Sequence, residues 1–226
     1  MPMKRVIAVW LGVAGMAFAG KLTFPEPVKE LKAGPDETKV KVDFPFTNST
    51  DKTVVVKETV GDCSCTSIEI SGGKTAYEPG ESGVIRLNFD IGAAVGKVEK
   101  GASIWVDGDP KDAPSQRLTM KVDIPVLVEM EPKTLKWHVG QEMEAKTIKF
   151  QMHGDKPIHI KSVTPSTENF IQELKTIEDG RSYELVVTPK NLKSKALSIF
   201  RVETDCEVSK HRTQQVFAVV APPVAK

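Results

Sequence analysis

Lys39-Val40-Lys41-Val42-Asp43-Phe44-Pro45-Phe46-Thr47-Asn48 decides the fold class. Val40, Val42, Phe44 and Phe46 alternate with Lys39, Lys41, Asp43 and Pro45. Successive side chains of a strand point to opposite faces, so this period of two puts the apolar groups on one face and the charges on the other. Leu118, Met120, Val122 and Ile124 alternate in the same way with Thr119, Lys121 and Asp123. So do Ile85, Leu87 and Phe89 with Val84, Arg86 and Asn88. After residue 19 no stretch shows a run at helical spacing.

Turn signals separate these runs: Asn48-Ser49-Thr50-Asp51-Lys52, Ser71-Gly72-Gly73, Pro79-Gly80, Gly108-Asp109-Pro110, Gly154-Asp155-Lys156-Pro157 and Asp179-Gly180. Short strands between frequent turns predict a β-sandwich. The chain also repeats. Phe46 to Val60 matches Phe150 to Val163, Pro79-Gly80-Glu81-Ser82 matches Asp179-Gly180-Arg181-Ser182, and Ile104-Trp105-Val106-Asp107 matches Phe200-Arg201-Val202-Glu203, at offsets of 104, 100 and 96. Offsets that drift as loops shorten are the mark of a duplicated unit. Leu22-Thr23-Phe24 and Leu135-Lys136-Trp137 then fall at equivalent starts. The expectation is an all-β chain of two tandem immunoglobulin-like sandwiches, 20–128 and 129–226.

The first residues have the order of a secretory signal peptide: Lys4 and Arg5, an apolar run from Val6 to Phe18, and Ala17-Phe18-Ala19 before Gly20. Thirteen residues are too few for a transmembrane helix, which needs about 20, and no cysteine follows to take a lipid. The expectation is therefore an exported protein, periplasmic or extracellular, with 1–19 removed. Losing Lys4 and Arg5 leaves 29 basic against 30 acidic side chains, a net charge of −1. A balanced surface lacks the positive field of a nucleic-acid-binding protein.

Phe44-Pro45-Phe46-Thr47-Asn48, Cys63-Ser64-Cys65-Thr66, Pro79-Gly80-Glu81-Ser82-Gly83 and Ile85-Arg86-Leu87-Asn88-Phe89-Asp90 occur in this order and at spacings that form a set. About residues 22 to 126 thus resemble the bacterial domain-of-unknown-function family numbered fifteen-seventy-three, a relative of Hydin-type (ASH) immunoglobulin-like domains. The resemblance implies an exported immunoglobulin-like fold and brings no established activity. Ser64 stands where the family usually has glycine, and the second repeat has Pro165-Ser166-Thr167 in place of the cysteine motif.

Cys63, Cys65 and Cys206 are the three cysteines, enough in an oxidising compartment for one disulfide and one spare thiol. Residues two apart in a strand have Cα atoms about 6.6 Å apart, near the limit for a bridge, so a Cys63–Cys65 bond requires a turn. A bridge from Cys206 to Cys63 or Cys65 is an alternative that would join the repeats. A third reading is a soft-metal site for copper or zinc built from the three thiolates with His138 or His211. The sequence leaves these open.

Other candidates have plainer readings beside them. His138, His153, His159 and His211 form no zinc-enzyme spacing and read as surface or turn histidines. Asp107, Gly108, Asp109 and Asp112 offer hard oxygen ligands for calcium, but the missing Glu and the prolines favour a solvated hairpin loop. Asn48-Ser49-Thr50 fits a glycosylation sequon and also a plain turn. Trp105 alternates with Ile104 and Val106 and is predicted on the outer face, a candidate binding surface. No nucleophile elbow or phosphate loop is present, so the sequence predicts no enzyme. It points to a binding or structural protein of the cell envelope whose partner is a protein or other envelope component. The rival is a thiol-redox or metal-handling protein working through Cys63 and Cys65, and a third reading is a pilus-chaperone-like module using a strand edge.

Overall fold

A computed structural model describes residues 21–223 of the chain. The expected signal peptide, residues 1–19, lies outside the described residues. Strands hold 58% of the structure and helix 3%, which makes the fold all-β.

The first nine strands are β1 (Leu22–Thr23), β2 (Val28–Lys32), β3 (Lys39–Asn48), β4 (Val54–Gly61), β5 (Thr66–Ile70), β6 (Ala76–Tyr77), β7 (Ser82–Asp90), β8 (Gly96–Val106) and β9 (Gln116–Ile124). The rest are β10 (Val128–Glu131), β11 (Thr134–His138), β12 (Lys146–Met152), β13 (Ile160–Pro165), β14 (Phe170–Glu178), β15 (Ser182–Pro189), β16 (Ala196–Thr204) and β17 (Thr213–Ala221), with a helical turn, α1 (Ser209–Arg212), before the last. One sheet has the order β1-β3-β7-β5 and another β2-β9-β8-β4-β6. The later sheets run β10-β12-β15-β14 and β11-β17-β16-β13.

These orders coincide strand for strand, apart from the short β6. In both halves the last strand takes a parallel neighbour: Leu31 lies opposite Val122, and Lys136 opposite Val219. The expected equivalence of Leu22-Thr23-Phe24 with Leu135-Lys136-Trp137 is corrected by this topology. β1 and β10 both pair antiparallel with the first long strand, Leu22 against Asn48 and Val128 against Met152. Leu135 to Trp137 therefore belong with β2. Two apolar-polar-aromatic triplets looked alike because each starts a strand.

The chain also divides into two compact units. One holds the described residues up to Pro27, with Asp43–Leu87 and Gly101–Leu118; the other holds Val28–Val42, Asn88–Lys100 and the described residues from Thr119 on.

Alternation in the sequence becomes alternation in burial. Val40, Val42, Phe44 and Phe46 of β3 are all buried, while Lys39, Lys41, Asp43 and Pro45 are exposed. Ile85, Leu87 and Phe89 of β7 and Leu118, Met120, Val122 and Ile124 of β9 are buried likewise. In the second half Trp137, Phe150, Phe170, Leu185, Phe200 and Val216 lie in one core cluster. Trp137 stays satisfied there because its Nε1 donates to the Glu144 carbonyl at 2.9 Å. Buried indole otherwise loses its hydrogen bond to water.

The end of β3 carries the densest polar arrangement. Asn48 is fully buried. Its Nδ2 donates to the Lys52 and Tyr77 carbonyls, both at 2.8 Å, and its Oδ1 accepts from the Thr50 amide at 3.0 Å and the Thr50 hydroxyl at 2.8 Å. Its backbone donates to the Glu81 carbonyl and accepts from the Gly80 amide, each at 2.9 Å. Beside it the Phe46 ring meets Tyr77 edge-on at 4.8 Å and Phe24 at 5.2 Å. A Cβ on Gly83 would stand 2.5 Å from Phe46 Cζ and 2.6 Å from the Tyr77 ring, so only glycine fits. The separate sequence motifs Phe-x-Phe-x-Asn and Pro-Gly-Glu-Ser-Gly thus meet in one cluster. A buried Asn48 with both amide hydrogens engaged is a turn residue, not a glycan acceptor.

Asn48→Ala takes a partner from the Tyr77 carbonyl and from the Thr50 amide, while the Lys52 carbonyl keeps the Thr50 hydroxyl. Buried unpaired groups cost about 1–3 kcal/mol each, part of which local relaxation and water recover. Urea unfolding should report a loss of roughly 2–4 kcal/mol; a loss below about 0.5 kcal/mol would contradict the clamp.

Candidate functional site

Between β4 and β5 the chain turns through Asp62, Cys63, Ser64 and Cys65. The turn closes because the Thr66 amide donates to the Cys63 carbonyl at 3.0 Å. Gly61 makes this close approach feasible: a Cβ there would sit 2.6 Å from the Thr66 carbonyl oxygen. The bend brings the Cα atoms of Cys63 and Cys65 to 5.2 Å, and the two form a disulfide. That distance lies within the usual range for a bridge.

Neighbouring strands hold the base of the turn. The Asp62 amide donates to the Gly101 carbonyl at 3.0 Å, and the Asp62 carboxylate accepts both Arg117 Nη groups at 2.9 and 2.7 Å. Gly101 leaves room for this fork, since a Cβ there would stand 2.7 Å from the Leu118 carbonyl and 3.0 Å from Arg117 Nη2. A surface pair contributes at most about 1 kcal/mol, so its use here is positional. Thr66, itself buried, places its hydroxyl 3.5 Å from Cys63 Sγ. The two cysteines are half-buried and Ser64 is exposed, so solvent reaches the bridge.

Cys206 is a free thiol, 4% exposed, within the core cluster of the second half. Its amide donates to Thr204 Oγ1 and its carbonyl accepts from Arg212 Nε. Of the pairings the sequence left open, the structure takes Cys63–Cys65, so the alternative bridge from Cys206 is not formed. While Cys63 and Cys65 are bridged they hold no thiolate, so the three-thiolate copper or zinc set is not assembled in this form. Among the described residues no group of three or more His, Cys, Asp and Glu is arranged to hold a metal.

His138 is engaged through Nδ1 with the Pro222 carbonyl at 2.7 Å, His153 with Glu129 at 2.7 Å, and His159 with Asp205 at 2.8 Å. His211 is not the surface histidine expected; it is 1% exposed. Burial pushes its pKa down, the charge of Lys210 adds to this, and a hydrogen bond to the Pro125 carbonyl opposes it. Asp109 organises its own hairpin loop, accepting from the Val106 amide, Ser115 Oγ and Lys21 Nζ. Burial pushes this carboxyl up, but those hydrogen bonds outweigh it and hold it below the ordinary range. Trp105, expected on an open face, is half-buried, with its Nε1 enclosed and without an acceptor among the described residues.

Sequence reasoning missed the outer edge of β14. Among the described residues this nine-residue strand ends its sheet and pairs only with β15, through Phe170 against Pro189 to Glu178 against Ser182. Ile171, Leu174 and Ile177 on it are 59%, 37% and 61% exposed. Strict alternation fails here because Leu174, on the core-facing side, overhangs the core, and a register shift falls between Thr176 and Glu178. Spacing alone carried no signal for it.

Two pairs of sheets with one strand order and a bridged turn in the first make this an immunoglobulin-like β-sandwich protein. Residues 22–124 match the model of the family described as "Protein of unknown function (DUF1573)". No curated protein matches the chain. Among solved structures, a protein of unknown function from Porphyromonas gingivalis W83 is 11% identical, with 89% of this chain and 100% of that one covered at a TM-score of 0.37. The YadV chaperone is 7% identical (87% and 99% covered, TM-score 0.34), and the Pseudomonas aeruginosa CupB2 chaperone 11% (88% and 100% covered, TM-score 0.34).

A three-residue loop removes little freedom from the unfolded chain, about 1.6 kcal/mol on the chain-entropy account. Cys63→Ser with Cys65→Ser should therefore lower stability by about that amount or less while the β circular dichroism is kept; a loss above about 3 kcal/mol would contradict it. His211 is held neutral in the fold, so below pH ~6.5 the unfolded chain binds the extra proton and stability falls as pH is lowered. Urea midpoints between pH 7.5 and 5 should show this fall, and His211→Gln should remove its part of it.

Proposed function

We propose that this chain is an exported protein of the cell envelope, periplasmic or extracellular, made of two tandem immunoglobulin-like domains, 20–128 and 129–226. It works by holding an extended segment of a partner protein. The observation that carries this reading is the outer edge of β14.

A sheet edge presents a row of backbone donors and acceptors that a further strand can satisfy. Edge strands are commonly kept short or irregular to prevent such pairing. β14 is nine residues long, against two for β1, five each for β2, β5 and β11, two for β6, four for β10 and six for β13. Ile171 and Ile177 give an added strand apolar side chains to meet, and Glu173, Lys175 and Glu178 between and beside them give charges that fix its register. Main-chain bonds then supply affinity and the alternating side chains selectivity. Among the described residues no helix is long and apolar enough to cross a membrane.

A photo-crosslinking residue at Ile171 or Ile177, expressed in the native host, should join the chain to a discrete partner. The same residue at Leu197, also exposed, should not. Ile171→Glu with Ile177→Glu should abolish the product without changing the urea midpoint. Equal crosslinking from all three positions would remove the edge from the account. Mass spectrometry of the envelope-associated protein should find Gly20 as its first residue; an intact Met1 in the cytosolic fraction would remove the export.

A further inference from the structure

The Cys63–Cys65 bridge has features that a structural staple does not need. It encloses three residues, the smallest share of chain that any of the three cysteines could have closed off. The second half supplies an internal control. The connection from β13 to β14 is the counterpart of that from β4 to β5 and contains Ser166 and no cysteine. There the Ser166 amide donates to the Ile199 carbonyl and the Ser166 hydroxyl accepts from the Ile199 amide, both at 2.9 Å. The first of these bonds repeats the Asp62 to Gly101 contact. The same strand order is thus reached with hydrogen bonds alone, so the bridge is surplus to the topology.

The bridge is also reachable and asymmetric. Its two cysteines are half-buried in a turn whose tip, Ser64, is exposed. The Thr66 hydroxyl lies 3.5 Å from Cys63 Sγ and can donate to it. A hydroxyl that donates to a sulfur stabilises the thiolate more than the neutral forms, because hydrogen bonds to ionised acceptors are the stronger ones. Thiol–disulfide exchange is faster when the departing sulfur is the better leaving group.

From these observations we infer that Cys63–Cys65 is a thiol–disulfide exchange centre whose substrates are dithiols, with Cys65 the sulfur attacked and Cys63 the sulfur released. A substrate thiolate attacks Cys65 Sγ; a bond forms between them, the Cys63–Cys65 bond breaks, and its electron pair leaves on Cys63 Sγ, held by Thr66 until it takes a proton. The second thiol of the substrate, deprotonated, then attacks the substrate sulfur of the mixed disulfide and releases Cys65. The substrate leaves as a disulfide, having lost two electrons and two protons, and the chain keeps both as two thiols. Cys206, enclosed in the core, takes no part.

Dithiothreitol serves as the test dithiol, with N-ethylmaleimide quenching and peptide mass spectrometry for each cysteine. Cys63 and Cys65 should become labelled while β circular dichroism is unchanged and Cys206 stays protected. Labelling of the pair only together with Cys206, as the chain unfolds, would overturn the proposal. Glutathione, a monothiol, should leave its adduct on Cys65 and maleimide on Cys63; the reverse pattern overturns the assignment of the two sulfurs. Thr66→Val, which keeps the shape of a buried side chain, should slow reduction by about tenfold, the worth of one such hydrogen bond. An unchanged rate removes Thr66 from the step.

Discussion

A buried carboxamide with all its hydrogen-bonding capacity used is the point on which the first sheets depend. Asn48 ties the end of β3 to the start of β4 through Lys52, to β6 through Tyr77, and to the turn before β7 through Glu81 and Gly80. The Asn48 carboxamide and the Tyr77 residue it binds are buried, where an unpaired polar group is costly, and hydrogen bonding removes that cost. Once Asn48 is in place, Gly83 must be glycine and the strands that follow have their starting points set.

The second half meets the same need with different atoms. Met152, at the position of Asn48, keeps the backbone bond to the residue after the glycine of the turn, here Arg181. The Arg181 guanidinium reaches back to the carbonyls of Gly154 and Asp155 and so satisfies the loop that Asn48 satisfies through its side chain. A guanidinium stays charged and needs solvent nearby, whereas a carboxamide can be sealed completely. The same substitution of means appears at the cysteine turn, where Ser166 holds without a covalent bond what Asp62 and the bridged turn hold in the first half.

Much of this was legible in the sequence. β3, β7 and β9 were readable because each covers a core with one face only, which turns position into composition. The repeat was readable because turns at Asp51-Lys52 and Asp155-Lys156 keep their spacing from the aromatic strand ends. The need for a turn at Cys63 and Cys65 followed from the rise of a strand, but the choice of partner did not, because Cys206 is removed by its burial in a core that spacing does not reveal. His211 was misread for the same reason. The edge of β14 was invisible since, after Phe170, its apolar residues Ile171, Leu174 and Ile177 fall on both faces and are all exposed, and Trp105 was placed on an open face because alternation assigns faces without saying what covers them.

The central claim is that the fold neither needs the bridge nor protects it. By linkage, a disulfide that stabilises the folded state is in turn stabilised by it, and 30 mV corresponds to about 1.4 kcal/mol for this two-electron couple. The measurement is the reduction potential of Cys63–Cys65 in the native protein and again in concentrated urea. The account predicts that the native value lies within about 40 mV of the unfolded one, the equivalent of a three-residue loop. A native potential more negative by about 80 mV or more would make the bridge a structural staple and contradict the account.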